Sequence, residues 1–217
     1  MKNHLFALTF LLIIMGSIPL AANKEIVLEL CGGKETTKPV FADTVTSDQY
    51  SLPDNITFTD TASGTSYTRS AKSLIYSLTG AALDTDFYEQ EGKAAAVICH
   101  TYLCCEYEKG TLAINTKNSA LFLDENALKD KFGGNYTELR SYCDNVYDII
   151  LLQNGKPFGF TENNIYSLSS SAYGTDNSLA HIMAMQGNTY QEILLYQQLL
   201  FSSTVSSTNS ENTLSPL

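Results

Sequence analysis

The stretch from residue 89 to residue 107, EQEGKAAAVICHTYLCCEY, decides how this chain folds. It contains no proline and many residues that favour helices, so it predicts the longest helix of the chain. Residues 94–99 (AAAVIC) place almost no polar side chain on any face. A helix without a polar face is buried on most sides in a globular protein. We therefore expect the rest of the fold to surround this helix.

Two elements are predicted before this helix. Residues 56–59 (ITFT) alternate apolar and polar side chains, and residues 62–65 (ASGT) supply a turn before residues 66–69 (SYTR). This pattern predicts a β-hairpin. Residues 71–83 then predict an amphipathic helix. Its apolar residues repeat at helical spacing: Leu74, Ile75, Leu78 and Ala82.

Two helices and a second hairpin are predicted after it. Asp124 caps a short helix that ends near residues 132–134 (FGG), and a further helix fits residues 136–147. Residues 149–152 (IILL) and 157–160 (PFGF) flank an Asn-Gly pair, which favours a type I′ hairpin turn.

A capping box predicts the last helix. Thr189 and Glu192 have the required spacing. Apolar residues follow at core spacing: Ile193, Leu194 and Leu200. Helices and antiparallel hairpins in no strict βαβ order predict an α+β fold, with a central buried Ala-rich helix and a C-terminal helix.

The two ends of the chain differ from its middle. Residues 1–22 place Lys2 and His4 before an apolar run and small residues, which is the order of a secretory signal peptide. The run is also long enough for an N-terminal membrane anchor, and both alternatives predict export. Residues 23–55 predict a linker or peripheral strand. The Ser/Thr/Asn-rich residues 202–217 predict a disordered tail.

Charge and cysteine content limit the function. The net charge of −10 excludes nucleic acid as a partner, because that class needs a basic surface. Cys104 and Cys105 are adjacent and lack the spacing of a zinc or redox motif, so no metal and no cofactor is predicted. A disulfide of Cys143 with Cys31 or with Cys105 is one alternative for an exported chain. The other is that the cysteines are buried small hydrophobic residues.

Two segments resemble the SpoIID/LytB family, which contains the stage II sporulation protein D and an amidase enhancer. Residues 93–102 (KAAAVICHTY) are similar to the family's helix pattern E-A-L-K-A-Q-A-V-A-A-(R/H)-T-Y, with the Lys and the His-Thr-Tyr ending in register. Residues 174–196 resemble its C-terminal pattern G-M-S-Q-Y-G-A-N-A-M-A-K-Q-G-K-S-Y-E-E-I-L-K-Y. Residues 124–136 and the Asn-Gly-Lys-Pro turn also match. The resemblance implies an internally shortened SpoIID/LytB-like domain over residues 56–201.

The resemblance implies a role in peptidoglycan remodelling during sporulation, as a lytic transglycosylase or as an assistant of wall amidases. Glycan cleavage needs a carboxylic acid that protonates the leaving oxygen. The family's acid falls on Ala82, which has no proton to donate. We therefore expect a protein that binds peptidoglycan glycan strands or a wall-remodelling protein without catalysis. The alternative is a weak lytic transglycosylase with a displaced acid, Glu89 or Glu91.

Two further acidic residues lie near these positions. Asp84 and Asp86 also lie close to the expected acid, although acidic residues at a helix start are favoured by the helix dipole in any case. By resemblance, Lys93, His100 and Tyr102 are the candidates for peptidoglycan contact.

Overall fold

The computed structural model of this chain describes residues 43–46, 50–110, 112–168 and 178–198. The predicted signal segment (residues 1–22) and tail (residues 202–217) lie outside these residues. Six strands and seven helices are described: β1 Asp43–Thr46, β2 Asn55–Asp60, β3 Ser66–Ser70, α1 Ala71–Ala82, α2 Glu89–Glu108, β4 Ala113–Ile114, α3 Glu125–Phe132, a 3₁₀ turn Gly133–Asn135, α4 Tyr136–Asn145, β5 Ile149–Gln153, β6 Lys156–Pro157, α5 Glu162–Tyr166, α6 Leu179–Met185, and α7 at residues 190–198. This mixture confirms the α+β prediction.

The first hairpin forms as predicted. Strands β2 and β3 pair antiparallel from Asn55 opposite Ser70 to Thr59 opposite Ser66. Alternate residues of β2 are buried, which fits a strand with one face on the core. Strand β4 adds a short parallel pairing to the end of β2, so this sheet has the order β3-β2-β4.

The second hairpin is shorter than predicted. Asn154 and Gly155 both have positive φ, 55° and 74°, as a type I′ turn requires. Strand β6 ends at Pro157, which has no N–H to donate. Phe158 N–H still donates to the Leu151 carbonyl at 2.8 Å. Strand β1, from the segment predicted as a linker or peripheral strand, pairs antiparallel with β5 and gives the order β1-β5-β6.

Helix α2 is the centre of the molecule. It has 20 residues, and every residue from Ala94 to Cys104 is buried. Helices α1, α4 and α6 and strand β5 all pack against it. The apolar stretch therefore predicted the core helix correctly.

Helix α1 lies close to α3 and α4 because Gly80 has no side chain. A β-carbon at this position would lie 2.2 Å from Leu128 Cδ2 and 3.2 Å from Leu139 Cδ2. Lys131 of α3 also donates from Nζ to the Gly80 carbonyl at 2.9 Å, which satisfies one of the carbonyls at the end of α1.

The predicted helix caps are present. Asp124 Oδ1 accepts from Ala127 N–H at 2.9 Å, and Glu192 Oε2 accepts from Thr189 N–H at 2.9 Å. The helix predicted over residues 136–147 ends at Asn145, because the chain turns at Val146 before β5. Leu200 lies outside the described residues.

Four cysteines are described, and all are free thiols. Cys99, Cys104 and Cys143 are buried, while Cys105 is half-buried. The Cys105–Cys143 disulfide is therefore not formed, and Cys31 lies outside the described residues. Burial raises the pKa of the Cys99 thiol to about 12, so this thiol stays protonated and packs as a small apolar group. The buried-hydrophobe interpretation is confirmed for the three buried thiols.

Among the described helices, none combines the length and the apolar character needed to cross a bilayer.

The first prediction concerns the contact at Gly80. We expect Gly80→Ala to lower the free energy of unfolding by about 2 kcal/mol, because an approach of 2.2 Å puts the overpacking cost near the upper end of about 1–3 kcal/mol and the helix preference of Ala returns about 1 kcal/mol. Urea unfolding followed by circular dichroism measures it. The control is Gly134→Ala, where a β-carbon meets nothing within 4 Å. Equal stability of the two variants would contradict the close approach of α1 and α3.

Candidate functional site

A carboxyl group is buried at the start of α2. Glu91 is 1 % exposed, and its Oε2 accepts a hydrogen bond from Tyr88 N–H at 3.2 Å. An acid at the third helical position often bonds back to the residue before the helix in this way. The local sequence therefore accounts for the direction of the side chain, but it does not account for the burial.

Helix α6 covers this carboxyl group. His181 Nδ1 lies 2.9 Å from Glu91 Oε2, and Ser178 Oγ donates to Glu91 Oε1 at 3.3 Å. Ser178 is also the N-cap of α6, since its Oγ accepts from His181 N–H at 3.1 Å. Ser178 and His181 are 1 % and 8 % exposed. One residue thus starts the helix and bonds to the buried acid.

The surroundings act on the pKa of Glu91 in opposite directions. Burial raises this pKa, because a carboxylate loses hydration inside the protein. The Tyr88 N–H, the nearby imidazole of His181 and the Ser178 hydroxyl lower it by a smaller amount. The net direction is upward. A raised pKa beside an imidazole is the arrangement that general acid catalysis uses, and it is also common in buried structural pairs.

Access to this pair is limited. The Tyr88 ring packs against the His181 imidazole, with 5.0 Å between ring centroids. Both carboxylate oxygens of Glu91 already accept hydrogen bonds. In the described conformation a substrate oxygen cannot approach Glu91. The pair is therefore better suited to docking α6 on α2 than to transferring a proton to a substrate.

A second polar contact joins α2 to the C-terminal segment. Gln90 Oε1 accepts from Tyr190 N–H at 2.9 Å. Neighbouring residues at the start of α2 thus bind α6 through Glu91 and α7 through Gln90.

The other predicted acids are separate from this pair. Ala82, at the expected acid position, is the last residue of α1 and is 0 % exposed, so a methyl group of the core occupies it. Glu89 forms an exposed ion pair with Lys93, one turn along α2. Asp86 is exposed and Asp84 is half-buried.

The three predicted peptidoglycan contacts do not share a surface. Lys93 is half-buried and paired with Glu89, whereas His100 and Tyr102 are buried in the core. The His100 ring stacks on Tyr147, with 5.2 Å between centroids and 12° between the ring planes. Neither ring nitrogen of His100 has a well-formed hydrogen bond with the described residues.

Burial also controls the protonation of His100. It lowers the pKa of His100 to about 4, although the Ile149 backbone and the Asp148 carboxylate act in the other direction. The imidazole is therefore neutral at pH 7. A neutral ring stacked on tyrosine is a packing element of the core.

No group of three or more His, Cys, Asp or Glu side chains within the described ranges could hold a metal ion. No sequence pattern indicated a functional role for His181 or Ser178. The spacing of a serine three residues before the histidine was a signal for the helix cap, but no local pattern indicated that α6 packs on α2.

No family model matches the chain, and no curated protein and no solved structure matches it.

The second prediction concerns the buried pair. We expect His181→Leu to lower the free energy of unfolding at pH 7 by about 3 kcal/mol, because it leaves the Glu91 carboxyl group buried without its main partner. This loss of stability in His181→Leu should become smaller at low pH, where the Glu91 carboxyl group takes up a proton. A double-mutant cycle with Glu91→Gln should give a coupling energy of at least about 1 kcal/mol.

The control for this cycle is Glu89→Gln, which removes an exposed ion pair and should cost less than about 0.5 kcal/mol. A coupling energy near zero between positions 91 and 181 would contradict the docking role of the pair.

The third prediction uses the pKa of His100. Between pH 6.5 and pH 4 the unfolded chain binds a proton at this residue that the folded chain excludes. The free energy of unfolding should therefore fall as the pH drops through this range, by about 3 kcal/mol from this group. In His100→Phe, which keeps a flat ring against Tyr147, the fall should be smaller by that amount. Urea titrations at several pH values measure it, and parallel curves for the two proteins would contradict the assignment.

Proposed function

We propose that this chain is an extracytoplasmic, SpoIID-like protein that binds peptidoglycan or a wall-remodelling partner and does not cleave glycan strands. The residue at position 82 is the main reason to expect no cleavage, because it is an alanine. Its methyl group fills the core at the position where the family has its acid. A lytic transglycosylase needs a carboxylic acid at the leaving oxygen.

The packing supports a SpoIID-like arrangement. The two segments that carry the resemblance are residues 93–102 on α2 and residues 174–196, which include α6 and α7. The start of α2 bonds to this second segment through the Glu91–His181 pair and through Gln90 and the backbone of Tyr190. Two motifs that are far apart in sequence thus meet at one end of α2. A SpoIID-like domain would need these two segments to lie together in this way.

The alternative function is weak lytic transglycosylation by a displaced acid. The raised pKa of Glu91 and the nearby imidazole favour it, because a general acid needs to hold its proton near neutral pH. The burial of Glu91 and the hydrogen bonds on both of its oxygens oppose it. Glu89 is exposed and paired with Lys93, so it lacks the sheltered position that a general acid usually has.

The surface around Tyr88 is the best position for a glycan or a partner. Tyr88 is 44 % exposed and packs against His181, and Ile182 and Met185 of α6 are also exposed. Exposed aromatic and apolar side chains suit the flat apolar faces of sugar rings and the apolar residues of protein partners. Recognition there does not need positive charge, which agrees with the acidic composition of the chain.

The fourth prediction tests binding. We expect the purified chain to sediment with peptidoglycan sacculi and Tyr88→Ala to bind about three- to tenfold more weakly, because one aromatic contact is lost. The control is Tyr107→Ala, since Tyr107 is 43 % exposed near the other end of α2 and should not affect binding. A chain that stays in the supernatant would contradict the wall-binding form of the proposal. Capture of a wall amidase would then support the partner-binding form.

The same sacculi test catalysis. We expect no anhydro-muropeptides after incubation with the native chain. Release of this product by the native chain, and its disappearance in Glu91→Gln but not in Glu89→Gln, would replace the proposal with the transglycosylase alternative.

A further inference from the structure

A polar pocket lies between α1, α3 and α4. Its volume is about 270 Å³. The lining is unusual for this acidic chain, because it contains two cationic side chains, Lys72 and Arg140, and a single carboxylate, Glu125. Three serines of β3 and α1 also line it: Ser70, Ser73 and Ser77.

The lining carboxylate of Glu125 and the nearby carboxylate of Asp144 are each paired with a lysine. Glu125 accepts from Lys129 at 2.6 Å. Asp144, beside the pocket, accepts from Lys72 at 2.9 Å and from the Tyr76 hydroxyl at 2.7 Å. Neither carboxylate forms an ion pair with Arg140, so the guanidinium has no such pair with any described residue.

Two tyrosine rings hold this guanidinium in place. Arg140 Cζ lies 5.2 Å from the centroid of the Tyr76 ring and 5.9 Å from that of Tyr136. Both tyrosines are buried, which makes their rings firm supports. The Tyr76 hydroxyl also accepts a hydrogen bond from this guanidinium. The other N–H groups of Arg140 lie in the plane of the guanidinium, where they can bond to a planar oxyanion. Two parallel N–H groups match the oxygens of a carboxylate or a phosphate.

The beginning of α1 adds to this effect. Ser70 is the N-cap of this 12-residue helix and lines the pocket together with Ser73, so the positive end of the helix dipole faces the same space as Arg140. The hydroxyl groups there donate hydrogen bonds to neutral parts of a ligand. The volume is close to the lower limit of about 300 Å³ for ligand pockets, which fits a molecule of monosaccharide size.

We propose that this pocket binds a small ligand with one carboxylate or phosphate group, anchored by Arg140. The site is separate from the Tyr88 surface, and it does not depend on peptidoglycan binding. Its selectivity is for one oxyanion group on a compact, hydroxylated body.

Calorimetric titration of the full-length chain tests the proposal with three probes of similar size: glucuronate, glucose 6-phosphate and glucose. We expect at least one of the two anions to bind and glucose not to bind. The anion that binds identifies the chemistry as carboxylate or phosphate. Added NaCl should weaken binding, because an ion pair at an open pocket is screened by salt.

Variants assign the binding to this pocket. We expect Arg140→Gln to weaken anion binding about tenfold or more. Arg140→Lys should retain part of the affinity through its charge. The control Lys156→Gln changes an exposed residue of β6 and should bind as the native chain does. Equal melting temperatures establish that the variants are folded. Binding of neither anion, equal binding of glucose, or native affinity in Arg140→Gln would overturn the proposal.

Discussion

The burial of α2 on all sides is the constraint on which the fold depends. Inside a protein, a polar group must find a partner or cost free energy, and two buried polar residues of this helix, Thr101 and Glu91, find theirs in neighbouring elements. Thr101 Oγ1 donates to the Val97 carbonyl at 2.7 Å and accepts from Leu151 N–H of β5 at 3.0 Å. Glu91 does the same for α6. Thr101 therefore helps to position β5 against the core helix, and Glu91 helps to position α6.

The distance along the chain between contacting residues explains which parts of the fold could be predicted. Hairpins, caps and amphipathic helices depend on residues close in sequence, so the patterns at Asn154-Gly155 and Asp124 predicted them correctly. The pairing of β1 with β5 joins residues about one hundred positions apart, and no local pattern contains it. The parallel contact between β4 and β2 was missed for the same reason. Tertiary packing, not propensity, decides such pairs.

The candidate site shows the same division between local and distant information. Glu91 was one candidate for a displaced acid because it lies within a few residues of the expected position along the chain. The structure places it under α6 instead of in an open cleft. His181 carried no signal of its own, since the only local pattern was the cap formed by Ser178. His100 and Tyr102 matched a motif, yet the absence of a polar face on α2 already favoured burial for both.

Burial also separates catalysis from recognition in this chain. A general acid must hold a proton and also reach a substrate oxygen within about 3 Å, and desolvation supplies only the first property. At Glu91 the desolvation comes from α6, which closes the approach that a substrate would need. Arg140 is in the opposite situation, because its two tyrosine supports are buried while its guanidinium faces a pocket. Arg140, which buried rings support and which lines a pocket, is therefore suited to ligand recognition. Glu91, which lies inside the core, is suited to holding the C-terminal helices against α2.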